Sequence, residues 1–294
     1  MKWGLVLLGA LLLAGGASAA DGQRFSVMTW NLSRYTLADR DGDGAVDDPK
    51  PEAERRAVQA LVVAERPEVL AVQEMGNATL FAQFQAELRA AGLHYPYAEL
   101  LPQGRDLNLA VLSQFPIVAV HHHTNDWYSI GEQRLPVLRG FLDVEIEVHA
   151  HYRFRLLTAH LKSKVYHALG QTEMRRNEAR LLNKAIRGIL DADPTANLLV
   201  AGDFNDDFNS VPVREVSGRR GGPMTDLRPV DGAGEVWTFF WAEADTYSRL
   251  DYFFVSQGML PETVRHLTRA VDDPSARNAS DHRPLVAVFE AVDQ

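Results

Sequence analysis

One recurrence constrains this chain more than any other feature. Short apolar runs of strand-forming residues end, one after another, in an amide, a carboxylate or an imidazole. Phe25-Ser26-Val27-Met28-Thr29-Trp30 alternates and stops at Asn31. Val69-Leu70-Ala71-Val72-Gln73 runs out into Glu74, and the run from Tyr152 to Ala159 delivers His160. Leu198-Leu199-Val200-Ala201 ends in Gly202-Asp203-Phe204-Asn205. Asp251 stands within Arg249-Leu250-Asp251-Tyr252-Phe253-Phe254-Val255, and Asp281-His282 precede the apolar run Leu285 to Phe289. Solvated polar residues should not fall repeatedly at one end of buried strands. Strand ends are where α/β folds assemble their sites.

Between these runs the periodicity turns helical. Glu52 to Val63 places Ala57, Ala60, Leu61 and Ala64 on one side before Pro67 forces a break. Thr79 to Ala91 is a second amphipathic helix, closed by Gly92. Gln171 to Leu190 is a long third one, with Leu181, Leu182, Ala185, Ile186 and Ile189 on its apolar face. Leu109 to Ser113 and Ile117 to Val120 read as neighbouring strands across Phe115-Pro116. Phe141 to Val148 and Tyr152 to Ala159 read as a hairpin around His149-Ala150-His151. The pattern is many strands with few helices, without a linker-like stretch or an internal repeat. It predicts one α/β domain.

That domain is expected at 20–294, behind a signal peptide at 1–19. Lys2 supplies the positive end, Leu5 to Ala14 the apolar core, and Ala17-Ser18-Ala19 the small-residue cleavage site. The expected destination is export, periplasmic or extracellular, as a monomer with no stable membrane anchor after cleavage. The chain has no cysteine, so an oxidising compartment would bring it no disulfides. Stability must come from a packed core or from bound ions, and 46% hydrophobic residues over 294 positions suffice for a large core. The formal charge of −9 excludes a general polyanion binder; any nucleic-acid contact has to be a local basic groove.

The polar stretch after the first strand carries a candidate calcium loop at 39–50. Asp39, Asp41, Asp43 and Asp47 fall on positions 1, 3, 5 and 9 of such a loop, and Gly44 falls on position 6. Position 12 is Lys50 where a bidentate Glu is expected, with Glu52 two residues further on. A solvated acidic turn is the competing reading.

The residues at the strand exits point to hydrolysis of a phosphate ester. A hard cation takes a few oxygen ligands and keeps other positions for water and phosphate, a role that suits Glu74, Asp281 and the amide oxygen of Asn31. Asp203 and Asn205 are two apart, so an extended turn points both to one side, one to take a proton from water and one to hold it. Asp251 can orient and charge His282. There is no cysteine nucleophile and no Gly-x-Ser-x-Gly elbow, which disfavours a covalent route.

In order, Thr29-Trp30-Asn31-Leu32, Gln73-Glu74, Ala159-His160-Leu161-Lys162, Gly202-Asp203-Phe204-Asn205, Arg249-Leu250-Asp251-Tyr252 and Ser280-Asp281-His282-Arg283-Pro284-Leu285 make a set. The set resembles the endonuclease/exonuclease/phosphatase superfamily, the DNase I-like proteins, over nearly the whole mature chain. That superfamily includes secreted deoxyribonucleases, abasic-site endonucleases, sphingomyelinases and inositol polyphosphate 5-phosphatases. The resemblance implies a four-layer α/β/β/α sandwich of two mixed sheets. It implies Mg²⁺ or Mn²⁺ on Glu74, with Asn31 and Asp281 nearby. His282 with Asp251 would handle protons, His160 would stabilise the transition state or leaving group, and Asp203 with Asn205 would activate water. Whether Asp203 or His282 is the base stays open. DNase-like members pair the counterpart of His160 with a Glu; here the candidates are Asp106 and Asn108. Arg139 and Lys162 would contact phosphate.

The expected activity is that of an exported metal-dependent phosphodiesterase acting on nucleic acid, with Ca²⁺ at the separate loop. Export, the Gly104-Arg105-Asp106 stretch and scattered basic residues favour a nuclease. A phosphomonoesterase or a sphingomyelinase-like diesterase is the alternative. A calcium-binding module on an inactive scaffold is disfavoured, because every key position holds competent chemistry. His121-His122-His123 reads as an exposed loop rather than a metal site, Arg219-Arg220-Gly221-Gly222 as a solvated turn, and Trp237 to Trp241 as core and rim, although these aromatics could stack on a base.

Overall fold

The computed structural model describes residues 22–103, 106–217 and 222–293. The expected signal peptide, Gly104-Arg105 and Arg219-Arg220-Gly221 lie outside the described residues. Two six-stranded sheets form the body. The first runs, in spatial order, Arg269–Ala270, Leu285–Glu290, Arg24–Tyr35, Val69–Met75, Asn108–Ser113, Tyr97–Leu101. The second runs Met224–Asp226, Asp251–Ser256, Leu198–Asp203, Tyr152–His160, Phe141–His149, Ile117–Val120. Both are mixed. Arg24–Tyr35 lies parallel to Val69–Met75, Tyr152–His160 lies parallel to Leu198–Asp203, and the remaining pairs are antiparallel.

Alternation along the strands builds the layers. Phe25, Val27, Val69, Ala71 and Val111 of the first sheet face Val144, Phe154, Leu156, Leu199 and Phe253 of the second, all buried in one core. The opposite face of the first sheet, with Met28, Trp30, Leu70 and Val72, is covered by helices Glu52–Glu65 and Ala78–Ala90. The outer face of the second, with Val200, Tyr252 and Phe254, takes Gln171–Ala192 and Val211–Ser217, which bury Leu182, Ile186 and Val213 there. Each fully buried ring or branched chain contributes about 2 kcal/mol. Asn77 starts the Ala78–Ala90 helix by accepting from the Thr79 and Leu80 amides, both at 3.1 Å. The result is the expected α/β/β/α sandwich.

The inter-sheet core changes character along its length. Inward positions, taken two residues at a time, read Phe25, Val27, Thr29, Asn31 on one strand and Val69, Ala71, Gln73 on the next. They read Leu156, Thr158, His160 and Leu199, Ala201, Asp203 on two strands of the other sheet. Gln73 ties the layers together where apolar gives way to polar, donating to Thr29 Oγ1 at 3.2 Å and Thr158 Oγ1 at 3.3 Å. The candidate site is the polar end of this core.

One expectation is corrected here. Asn108–Ser113 and Ile117–Val120 are not neighbours but belong to different sheets. Pro116 and two preceding residues form the crossover, with Phe115 packed on the shared core, so an interruption that resembles a tight turn is a change of layer.

Candidate active site

Strand register sets the first part of the site. His160 lies opposite Asp203, and Asp203 opposite Asp251, on three adjacent strands. The close approach needs Gly202: its φ is +131°, and a Cβ there would stand 2.0 Å from the Ala159 carbonyl oxygen. Beyond it the chain turns at Asn205, with φ +53°. Asn205 donates its backbone N–H to Asp203 Oδ1 at 2.8 Å, and its Nδ2 to Asp203 Oδ2 and the Leu161 carbonyl, both at 3.0 Å.

The first sheet supplies the facing wall. Asn31 Nδ2 donates to Asp203 Oδ2 at 3.0 Å and lies 3.4 Å from Glu74 Oε1, while its Oδ1 accepts from the Ser33 amide at 3.0 Å. By strict alternation Glu74 would follow Leu70 and Val72 to the helix-covered face. A register break at this point and a left-handed backbone, φ +62°, turn it into the cavity instead. The Arg34 amide then fixes its Oε2 at 2.7 Å.

The segment Ser280-Asp281-His282 closes the site. Ser280 Oγ donates to the Asn31 carbonyl at 2.7 Å and accepts from the His282 amide at 3.0 Å. Trp30 Nε1 donates to the His282 carbonyl at 2.9 Å. The His282 ring packs on Phe239, Nδ1 lies 2.8 Å from Asp251 Oδ2, and Nε2 lies 3.9 Å from Asp203 Oδ2. Thr238 Oγ1 accepts from the Leu250 and Asp251 amides at 2.9 and 3.0 Å, setting Asp251.

A cavity of about 490 Å³ gathers Asn31, Glu74, Arg139, His160, Asp203, Asn205, Asp281 and His282 on its wall. Two expected contacts are absent from that wall. Lys162 sends its ammonium to the Ser163 and Val165 carbonyls, at 3.3 and 3.2 Å, and so organises the loop whose neighbours Ser163, Lys164 and Val165 do reach the cavity. Asn108 donates to the Gly76 carbonyl at 2.9 Å, and the adjacent Leu107 lines the cavity in its place. Nor does either candidate partner meet His160: its Nδ1 is buried without a hydrogen-bond partner among the described residues, and its Nε2 lies 3.4 Å from Asp203 Oδ2. Arg34, which carries no sequence signal, also builds the site, as do Thr238 and Phe239 from the stretch read as core and rim.

Electrostatics separates the groups. Burial, helped by the Asp251 charge, raises the Asp203 carboxyl to about 7 against the pull of His282 and the Asn205 and Asn31 donors. Burial opposes a charge on His282, but Asp251, Asp203 and the Asp251 hydrogen bond overcome it and hold the ring at about 10. His160 goes the other way: burial, then Arg139, His282 and Lys162, keep it neutral. Arg139 is 7% exposed, its Nε has no partner, and no carboxylate pairs with it among the described residues. Glu178, buried nearby, feels the Arg139 charge without pairing with it directly, so the guanidinium keeps donors for an anion.

The donor chemistry fits a hard cation. Glu74 is half-buried and Asp281 exposed, both on the cavity wall, as suits an ion that keeps its water. Asn31, with its amide N–H groups toward Asp203 and Glu74, braces the carboxylates rather than presenting an oxygen. Asp203, Asp251 and His282 place ligand atoms within 4.8 Å of one another. This buried trio can hold an ion as well as pass protons, since a cation displaces the proton of the ring it binds.

Outside the site, exposed Asp39 and Asp41 and half-buried Asp48 form a carboxylate group. Asp48, not the expected Asp47, completes it, and Asp43 caps the Ala45 amide at 2.7 Å. Lys50 turns away to Glu54 and the Ser33 carbonyl, both at 2.8 Å, and Glu52 pairs with Arg56. The three histidines diverge: His122 meets Glu99 at 2.9 Å and His123 meets Asp143 at 3.0 Å.

The model of the Endonuclease/Exonuclease/phosphatase family matches residues 28–282. No curated protein matches the chain. Among solved structures it is similar to the human Nocturnin catalytic domain with bound sulfate anion, at 20% identity and a TM-score of 0.65, covering 90% of this chain and 94% of that one. It is similar to D. rerio TDP2 complexed with single strand DNA product, at 16% identity and 0.62, covering 90% and 98%. Sphingomyelinase C from Streptomyces griseocarneus follows at 18% identity and 0.59, covering 91% and 99%. These likenesses show the fold.

Proposed function

The chain belongs to the endonuclease/exonuclease/phosphatase family, and on that premise we propose that it is an exported phosphodiesterase of nucleic acid. Members of this family are metal-dependent hydrolases of phosphate esters. One observation carries the reading: Asp203, a buried carboxylate raised toward neutrality, shares a cavity with Arg139, a buried cation that makes no direct ion pair among the described residues.

The roles follow from the geometry. Arg139 neutralises non-bridging oxygens of the phosphate. Asp203, held by the Asn31 and Asn205 donors, takes the proton of the attacking water as the new O–P bond forms. The opposite charge preferences of the two groups support Asp203 as the base: it can shed its proton near neutrality, whereas His282 stays charged and serves as a donor to the phosphate. Neutral His160, on the cavity wall, would stabilise the oxygen that leaves as the opposite O–P bond breaks, and that oxygen then takes a proton from solvent water. Glu74 and Asp281, with Asn31 beside them, would hold Mg²⁺ or Mn²⁺. Such an ion, when bound, supplies Lewis-acid stabilisation of the developing charge.

The likeness to TDP2 with its DNA product supports nucleic acid as substrate. A phospholipid diester is the second reading, favoured by apolar surface on the cavity wall, where Val165 is 71% and Trp241 53% exposed. A panel of plasmid DNA, single-stranded DNA, RNA, sphingomyelin, inositol phosphates and bis(p-nitrophenyl) phosphate decides, with Mg²⁺, with Mn²⁺ and with EDTA. Nucleic acid and the small diester should be cut, EDTA should stop both, and Asp203→Asn should lose about a thousandfold. Activity indifferent to EDTA, or a loss under about tenfold in Asp203→Asn, overturns the assignment.

A further inference from the structure

The cavity does not end at Asp281. Ser33 and Asp281 also line a second depression of about 590 Å³, so the two depressions adjoin across these residues. Charge in the second part is unevenly settled. Lys50 and Glu54 both line it, but they neutralise each other across 2.8 Å. Arg277 lines it too, is exposed, and makes no ion pair among the described residues.

Arg277 is nonetheless held in place. Its guanidinium carbon lies 5.6 Å from the Phe240 ring centre and 5.7 Å from that of Trp237. Trp237 is itself fixed: Arg283, buried and paired with Asp231, covers it at 3.8 Å, and Nε1 donates to Glu235 at 2.6 Å. Attraction to a ring face orients a guanidinium without consuming its N–H donors. The Ala276–Ala279 turn that carries Arg277 runs directly into Ser280, whose hydroxyl is bonded to Asn31. The fork is therefore tied to the same frame as the reacting centre.

We propose that this second depression is a subsite for another phosphate of the substrate strand, held by Arg277, and that the enzyme consequently prefers an oligonucleotide to an isolated diester. The proposal rests on the nucleic-acid reading above and names a further specificity-determining residue for it. A planar five-donor fork matches a phosphate in two-point contact, which an ammonium cannot reproduce.

The test compares wild type, Arg277→Ala and Arg277→Lys on bis(p-nitrophenyl) phosphate and on single-stranded oligonucleotides of two to eight nucleotides, with Mg²⁺ and over a salt series. In wild type kcat/KM should rise with length. Arg277→Ala should lose about tenfold more on the longer oligonucleotides than on the small diester, chiefly through KM, and its log–log salt slope should shrink by about 1. Arg277→Lys should recover the salt slope but only part of the affinity. Equal losses on both substrate types, or no length preference in wild type, overturn the subsite. A wild type that cuts the small diester but no oligonucleotide overturns the nucleic-acid reading itself, which is a different result.

Discussion

His160 stands opposite Asp203 in the parallel pair of the second sheet, with Nε2 and Oδ2 3.4 Å apart. Asp251 occupies the next position on the same rung, and it holds His282 at 2.8 Å. Three of the proposed catalytic groups are therefore set by backbone hydrogen bonding rather than by loop packing. Sites on such elements are held more precisely than sites on loops.

This dependence makes Gly202 a test of the rung. Its φ of +131° is open to glycine alone, and a Cβ would meet the Ala159 carbonyl at 2.0 Å, backbone against backbone. Gly202→Ala should destabilise the fold by about 3 kcal/mol, read as a lower urea midpoint at unchanged slope. The folded fraction should also lose activity, because relieving the contact separates His160 from Asp203. A wild-type midpoint would show that the rung tolerates displacement.

The Asp251–His282 pair should appear in the pH profile. With Asp203 at about 7 and His282 at about 10, activity rises as Asp203 sheds its proton and falls as His282 loses its charge. The result is a bell whose limbs belong to the coupled group. Asp251→Asn removes the charge that most favours imidazolium and that also helps to raise Asp203, so the alkaline limb should move to lower pH and the acid limb should shift down as well. An alkaline limb that stays in place would detach it from His282.

Much of this arrangement was legible before any coordinates, for a physical reason. Inward positions two residues apart change from Val27 to Asn31 and from Leu199 to Asp203, and a period of two survives in the sequence as apolar runs with polar ends. What was not legible depends on breaks in that period. Glu74 reads as a ligand at its strand exit, but the bulge by which it reaches the cavity does not show in the sequence, and the crossover at Pro116 resembles a turn. Lys162 sits within a family-like motif, but its ammonium is consumed by loop carbonyls that no spacing reveals. Thr238 and Phe239 act through a bridge to His282, a long-range contact with no local signature.

At the acidic loop, geometry revises the ligand set. Asp39, Asp41 and Asp48 bring their carboxylates together. Lys50 is turned toward Glu54 and the Ser33 carbonyl. Ca²⁺ at millimolar concentration should raise the melting temperature, and Asp41→Ala or Asp48→Ala should remove the rise, while Asp47→Ala should keep it. Loss of the rise in Asp47→Ala, or none in wild type, would return the loop to a solvated turn.

Glu262 links stability to pH, away from the groove. It is 2% exposed, its Oε2 accepts from the Tyr152 hydroxyl, and its Oε1 has no partner among the described residues. Burial raises its carboxyl; the Tyr152 hydrogen bond opposes this and the Asp293 charge adds to it, leaving about 7 against an ordinary 4.5. Between those values the folded chain keeps a proton that the unfolded chain has lost. Stability from this residue is therefore complete below pH 4.5, declines as pH rises toward 7, and levels off above. The total change is about 3 kcal/mol. Gln keeps the shape and an acceptor for Tyr152 but cannot ionise, so Glu262→Gln should match wild type near pH 4.5 and exceed it increasingly up to pH 8. Urea midpoints across that range measure the gap directly; a constant gap would mean that Glu262 ionises as readily in the folded chain as in the unfolded one.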